Sequence, residues 1–421
     1  MGKYTVLDNP IVDETIDTHM KIITKEMVDR IKPKSVILTG SFGRGEGSVI
    51  LKKSEAKILS DYEIGVVTKK FWQRELLSKL SRKFSAMLGV ETTVTCITPD
   101  RLKQNRTKNL SFGRSLPSIS MYELKSGSIL LYGKNYLSEN LIDPKTIPLW
   151  EGIRLLFNRI AEALQYFDTS IFQMPGDVLV EDLNLIKWIS KILLACSDAL
   201  LISIGRYHYS YRTRWQVLQQ EYPKHFNYAF REFPQFLPTV QRAYEFKIYG
   251  PRDLAVYTNR ETIKFWFDAA EIYDKIFRFI LDEDLGVKFG TYSEFPEKYL
   301  NHPKVRHEYN YYRLGPVYLS VYENLIYTVR MTKWGRTPPL RSFSKITIPW
   351  HHLIFSMIPV IFFSLSRDGR INTNMLQKVR ETMRFIRSLR PMLEDPLKEW
   401  EYLKENTVQH WYYICYGKLL S

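Results

Sequence analysis

A chain of 421 residues exceeds what one hydrophobic core usually fills, so two or three packed units are expected. Its 45% hydrophobic and 25% charged residues, with 27 Tyr, 23 Phe and 9 Trp, exclude global disorder. A formal charge of +15 favours anionic company such as nucleotides, nucleic acid, sugar phosphates or acidic lipid; the competing reading is that excess Lys and Arg only keep a large protein soluble.

In chain order, Val12 to Ile31 spaces Ile16, Met20, Ile23 and Met27 at helical intervals, and Ser35 to Gly40 is a compact apolar strand closed by a turn. Tyr62 to Val67 is the next strand, and SVILKKSEAKIL between them reads as a hairpin. Phe71 to Leu88 is helical with Gly89 at its C-cap, Val90 to Thr98 is a β-branched strand, and Ser128 to Gly133 resumes order after a loop rich in Lys, Arg, Ser and Pro. From about residue 145 the periodicity is almost wholly helical: Leu149 to Phe167, Val180 to Ile204, Glu261 to Leu281, Val317 to Met331, Asn374 to Leu389 and Leu393 to Tyr416. The longest apolar run, Leu353 to Leu365, is too short for a bilayer and contains Pro359, so it reads as a buried helix. A membrane-surface role is its lesser alternative, because Arg367 and Arg370 follow.

Cys96, Cys196 and Cys415 lie far apart without CxxC spacing, which indicates neither zinc nor a disulfide framework and suits a reducing cytoplasm. The N-terminus, MGKYTVLDNPIVDETID, lacks the basic patch and apolar run of an export signal. A cytoplasmic location is expected.

The chemistry concentrates where the strand VILT runs into GSFGRGEG, Gly40 to Gly47, followed by SDYEIGVV, Ser60 to Val67. A Gly-Ser turn opening a helix offers backbone N–H groups and a hydroxyl to terminal phosphates, although an ordinary strand-to-helix turn looks the same. Along a strand the period of two places Asp61 and Glu63 on one face, where like charges are unfavourable unless a cation lies between them. A solvent-facing acidic edge is the alternative.

The joint pattern, LTGSFGRGEG followed by LSDYEIGVV, resembles the signature of the DNA polymerase β nucleotidyltransferase superfamily, over residues 30 to 135 and including SGSILLYGK, Ser126 to Lys134. The resemblance implies that Asp61 and Glu63 hold two Mg²⁺ ions, with Mn²⁺ as a substitute, and that Gly40 and Ser41 cradle the outer phosphates of an NTP. It implies a third carboxylate on a later strand, for which Glu91 is the candidate as metal ligand or base, the alternative being an exposed strand-end Glu. Two departures stand out: Glu63 replaces the commoner Asp, and the gap from Ser41 to Asp61 is long.

Arg44 is a candidate to steady a phosphate or the acceptor, against a plain surface Arg. Lys187 and Lys191 share a helical face, as basic residues of related enzymes do when they reach the triphosphate, against a solvated basic face. Asp198, inside an apolar stretch, needs a partner or a cavity. Residues 204–215 interleave Arg206, Arg212 and Arg214 with Tyr207, Tyr209, Tyr211 and Trp215, a pattern shared by nucleic-acid surfaces and by helix-packing cores; the latter is the preferred reading. His208 is given no nuclease role, and His351 and His352 are read as packing or capping residues.

The expected architecture is α+β: a polymerase β-like nucleotidyltransferase domain over 1–145, with a mixed sheet flanked by helices, then a helical bundle over 146–300 contacting nucleotide and acceptor, and a further helical region over 301–421. The expected activity moves an NMP from an NTP to RNA, a sugar phosphate, another small molecule or a protein hydroxyl. A catalytically inactive nucleotide- or nucleic-acid-binding scaffold of the same fold is the alternative.

Overall fold

The computed structural model describes residues 2–52, 55–69, 74–103, 117–180, 183–231, 233–251, 257–307 and 348–416, with 321, 325 and 329. Apart from Val321, Leu325 and Val329, which are helical, the helix expected from Val317 to Met331 lies outside the described residues.

Helix α1, Pro10–Ile31, starts where the Asn9 side chain accepts from the backbone N–H groups of Ile11 and Val12. It buries Val12, Ile16, Met20, Ile23, Met27 and Ile31, the stripe that its sequence spacing predicts. Strand β1, Ser35–Thr39, leads into the single-turn helix α2, Gly40–Gly43, and then the hairpin β2, Val49–Lys52, and β3, Glu55–Ile58. Strand β4 is Tyr62–Val67, helix α3 Arg74–Leu88 and strand β5 Thr92–Ile97. The short helices α4, Pro99–Lys103, and α5, Ile119–Ser126, precede strand β6, Ile129–Gly133.

The main sheet has the order β5-β4-β1-β6. β1 is antiparallel to β4 and β6, whereas β5 is parallel to β4. A parallel pair needs a crossover, and α3 supplies it. α1, β1, β4 and α3 share one core built on Ile23, Met27, Val36, Leu38, Ile64, Val66 and Phe84. At its end, β1 pairs Thr39 with Glu63, so the strand register delivers Glu63 beside the residue that precedes Gly40.

The remaining helices are α6, Leu149–Tyr166, α7, Asn184–Ser203, α8, Tyr211–His225, α9, Phe236–Tyr249, and α10, Asn259–Leu285. They are followed by α11, Phe295–Asn301, α12, Pro303–His307, α13, Trp350–Ser364, α14, Thr373–Met383, and α15, Pro396–Tyr416. The protein is thus a mixed α/β chain with a small sheet and many helices, consistent with the α+β class.

Two compact units divide the chain. The first takes Met1–Lys108, Ser115–Glu151 and Leu201–Asp253, and the second Asn109–Arg114, Gly152–Leu200 and Leu254–Ser421. The first therefore carries the whole sheet and also α8 and α9, which lie far beyond residue 145.

In the second unit α13 is buried along almost its full length and packs against α11, α14 and α15. Pro359 sits inside it, and the Trp400 indole donates to the carbonyl of Ile361 at 3.0 Å. This is the buried helix that the apolar run predicts. Among the described residues, no helix is long and apolar enough to cross a membrane. His351 and His352 open α13 as packing residues: their rings meet at a tilt with centres 4.1 Å apart, and the Nδ1 of His352 lies 2.8 Å from the Tyr299 hydroxyl. Burial pulls the pKa of His351 down to about 3 and that of His352 well below its usual value, so both are neutral in the fold.

Candidate functional site

Gly40 occupies the left-handed region at φ +67°, where a side chain is strained. The carboxylate of Glu63 lies against it: a Cβ at Gly40 would meet Glu63 Oε1 at 2.2 Å. Glycine is required twice over, by the turn and by the carboxylate filling the space a methyl group would need. The corner of GSFG and the acidic strand end therefore face each other.

Asp61 precedes β4 and is half-buried, while Glu63 lies within the strand. Solvent still reaches Glu63, yet surrounding protein is the first cause that raises its carboxyl pKa, and the like charge of Asp61 is the second; Arg44 and Lys247 pull the other way. A group both wet and crowded sits in a recess. Here protons or a cation relieve the repulsion between two carboxylates.

Ser41 is 5% exposed, and its hydroxyl accepts a 2.8 Å hydrogen bond from the ammonium of Lys247 on α9. The carbonyl of Lys247 accepts in turn from the Ser48 hydroxyl, and the Ser48 amide donates to Ser60 Oγ at 2.9 Å. Ser60, the residue before Asp61, thus anchors the hairpin base and the backbone that carries α9. Sequence reading passed over Lys247, because it stands 206 positions from Ser41 in a stretch without a motif.

Below this corner lies a buried ionic cluster. Glu46 is 2% exposed and caps α8, accepting from the Ser210 hydroxyl at 2.7 Å and from the amides of Tyr211 and Arg212 at 2.9 Å. Arg44 is enclosed between Glu46, at 3.8 Å, and Glu123, at 3.5 Å. Burial opposes its charge, but Glu123 leads the neighbours that raise its pKa on balance. Arg214 donates to Glu123 at 3.2 Å, to the Tyr207 hydroxyl at 3.0 Å and to the Tyr209 carbonyl at 3.2 Å, and stacks 3.9 Å from the centre of the Tyr211 ring. The Tyr207 hydroxyl also donates to Glu123, at 2.7 Å. At Gly127 a Cβ would meet Arg44 Cγ at 2.7 Å, so the loop after α5 closes directly on the cluster. Tyr207 and Arg214 of the basic-aromatic stretch are therefore interior residues, as the packing reading expects.

The predicted site residues separate into groups. Gly40, Ser41, Asp61 and Glu63 come together at one corner, with Arg44 beneath it in the ionic cluster. Glu91 is exposed; its carbonyl accepts from the Tyr62 amide at 2.8 Å, which puts it beside Asp61 in the parallel register. Among the described residues no three His, Cys, Asp or Glu form a group able to hold a metal ion, so Glu91 does not complete a trio with Asp61 and Glu63. Lys187 and Lys191 belong to the second unit, where Lys191 lies 3.7 Å from the centre of the Trp188 ring and Lys187 lies 5.9 Å from it. Asp198 is buried on α7, and Cys96, Cys196 and Cys415 are not joined in disulfides.

Comparison with family models, with curated proteins and with solved structures finds no match.

Proposed function

We propose that the first unit is a nucleotidyltransferase domain that moves a nucleoside monophosphate from an NTP to an acceptor hydroxyl. The observation that carries this reading is the meeting of Glu63, paired on its own side by Asp61, with the Gly40–Ser41 corner. The donor set fits a hard divalent cation: two oxygen ligands whose mutual repulsion such an ion removes. Asp61 and Glu63 would hold Mg²⁺, or Mn²⁺ in its place, which when bound supplies charge neutralisation to the polyphosphate.

The chain's own residues take the other roles. Gly40 admits the Glu63 carboxylate to the corner and, with Ser41, cradles the outer phosphates; the Ser41 hydroxyl donates to a phosphate oxygen, and the Lys247 ammonium, already on Ser41, pairs with the outer phosphates. The acceptor oxygen bonds to the α-phosphorus, the bond from that phosphorus to the bridging oxygen breaks, and pyrophosphate leaves with the electron pair. Glu91, next to Asp61 across β5, is the proposed base for the acceptor proton. Arg44 acts from beneath by holding the corner in place, and Lys187 and Lys191 remain candidates for the nucleotide as the resemblance implies. The acceptor is RNA, a sugar phosphate, another small molecule or a protein hydroxyl, and the net charge of +15 favours the anionic members of that set.

The absence of a three-carboxylate group among the described residues favours one second reading, a nucleotide-binding relative of the same fold without catalysis. Incubation with Mg²⁺ and each α-labelled NTP, against RNA, protein and small-molecule pools, separates the two. Label transfer by the wild type and its loss in Asp61→Asn support the enzyme. Equal inertness of both proteins, with nucleotide still bound, establishes the scaffold.

A further inference from the structure

The second unit holds a cavity of about 440 Å³ lined by Arg380, Arg384, Arg390, Gln377 and the turn from Leu389 to Met392. Its three guanidiniums are not equivalent. Arg380 is buried and bound to the buried Glu399, and it donates at 2.5 Å to the carbonyl of Arg390. Glu399 also accepts from the Leu393 amide at 3.1 Å, so its charge is committed to fixing this turn.

The exposed Arg390 holds its guanidinium carbon over Tyr402, 3.9 Å from the ring centre, and its side-chain N–H groups have no hydrogen bond among the described residues. The side chain of Arg384 has neither an ion pair nor a hydrogen bond among the described residues. Two guanidinium charges therefore share one cavity with no carboxylate partner among the described residues, an arrangement that a bound anion would favour. The one acid in the α14 sequence, Glu381, pairs with Lys378 at 3.0 Å and accepts from the Gln377 amide at 3.5 Å.

We propose that this cavity binds the terminal phosphate of a nucleotide-sized ligand. Arginines that line one cavity from separate backbone positions suit a tetrahedral anion with several oxygens better than a two-oxygen carboxylate. A phosphate alone would occupy a small part of the cavity, and Leu389, Pro391 and Met392 offer an apolar edge to the organic remainder, with the Gln377 amide beside it. The site lies wholly within the second unit and is independent of the chemistry proposed for Asp61 and Glu63.

Methyl-labelled methionine gives a local readout, with the Met392 signal assigned by Met392→Leu. Titration with inorganic pyrophosphate at constant ionic strength should move that signal saturably. Arg384→Ala should weaken the binding about tenfold, as expected for one lost charge-assisted fork. Arg384→Lys should fall between the two. The Arg384 backbone donates to the Arg380 carbonyl and its side chain has no partner among the described residues, so its replacement should leave the fold intact, which circular dichroism checks. AMP and a 5′-phosphorylated oligonucleotide as further probes distinguish a free nucleotide from a nucleic-acid end. A Met392 signal that pyrophosphate leaves unmoved, or that sodium chloride moves equally, overturns the proposal. So does unchanged binding by Arg384→Ala.

Discussion

Both units bury ion pairs, but the charge they leave unbalanced has opposite sign. In the first, Arg44, Glu46, Glu123 and Arg214 neutralise one another beneath a corner where Asp61 and Glu63 repel. In the second, Arg380 and Glu399 tie α14 to α15 beside Arg384 and Arg390, which have no acid partner among the described residues. Buried pairs stabilise little by themselves, since desolvation offsets most of their attraction. Their effect in both places is to fix the backbone that presents the unpaired groups. The first unit thereby presents a demand for cations and the second a demand for anions.

Substitutions can break this comparison at graded strength. Asp61→Asn removes half of the repelling pair, and we expect label transfer to fall by about a thousandfold or more with the thermal midpoint preserved. Arg214→Met removes one of the two arginines on Glu123, which keeps Arg44 and the Tyr207 hydroxyl, and should destabilise by about 1–3 kcal/mol, read by urea unfolding. Gly40→Ala adds left-handed strain of about 1–3 kcal/mol and displaces Glu63, so activity should drop more steeply than stability. A proportional loss of both would show that the corner is structural only.

Acid sharpens the contrast from the other side. His351 and His352 are neutral in the fold but protonate near pH 6.5 once unfolded, so the unfolded chain binds more protons between pH 6.5 and about 3. Stability is then full above pH 6.5 and declines as pH falls, by about 1.4 kcal/mol per pH unit for each group fully within the window. His351→Gln should flatten that slope in unfolding experiments at pH 4 to 7. Glu63 works in the opposite sense. Its raised pKa means the folded state holds a proton more readily than the unfolded one, so ionising Glu63 weakens the fold as pH rises. Mg²⁺ should therefore raise the thermal midpoint more at pH 7.5 than at pH 5, and Glu63→Gln should abolish that difference. The smallest effect belongs to Lys191→Met, whose cation lies over Trp188; stability should change by about 0.5 kcal/mol or less.

The strands were legible because their apolar runs are short and bounded by turns, and the paired strands β1 and β4 set the Gly40, Ser41, Asp61 and Glu63 corner through local register alone. Helix α1 was legible from its stripe of Ile and Met. Helices α8 and α9 were not: α8 has few apolar positions and carries Pro223, and α9 follows the break at Pro234 with Pro238 in its first turn. Missing α9 meant missing Lys247. Glu46 and Glu123 were invisible for a different reason, since their partners arrive from residues 207–214, a long-range pairing that no spacing encodes. For Arg44 the sequence leaves a phosphate-steadying residue and a plain surface Arg both open, and only the fold shows its charge enclosed by two acids.

The central claim is that the acidic pair facing the Gly40–Ser41 corner takes up a divalent ion together with a nucleotide. Electron paramagnetic resonance of free Mn²⁺ tests it directly, with and without a non-hydrolysable ATP analogue. The account predicts that the wild-type protein depletes the free Mn²⁺ signal beyond what the analogue alone depletes, and that Asp61→Asn and Glu63→Gln each remove that excess. Equal depletion by all three proteins, or none by any, would contradict it.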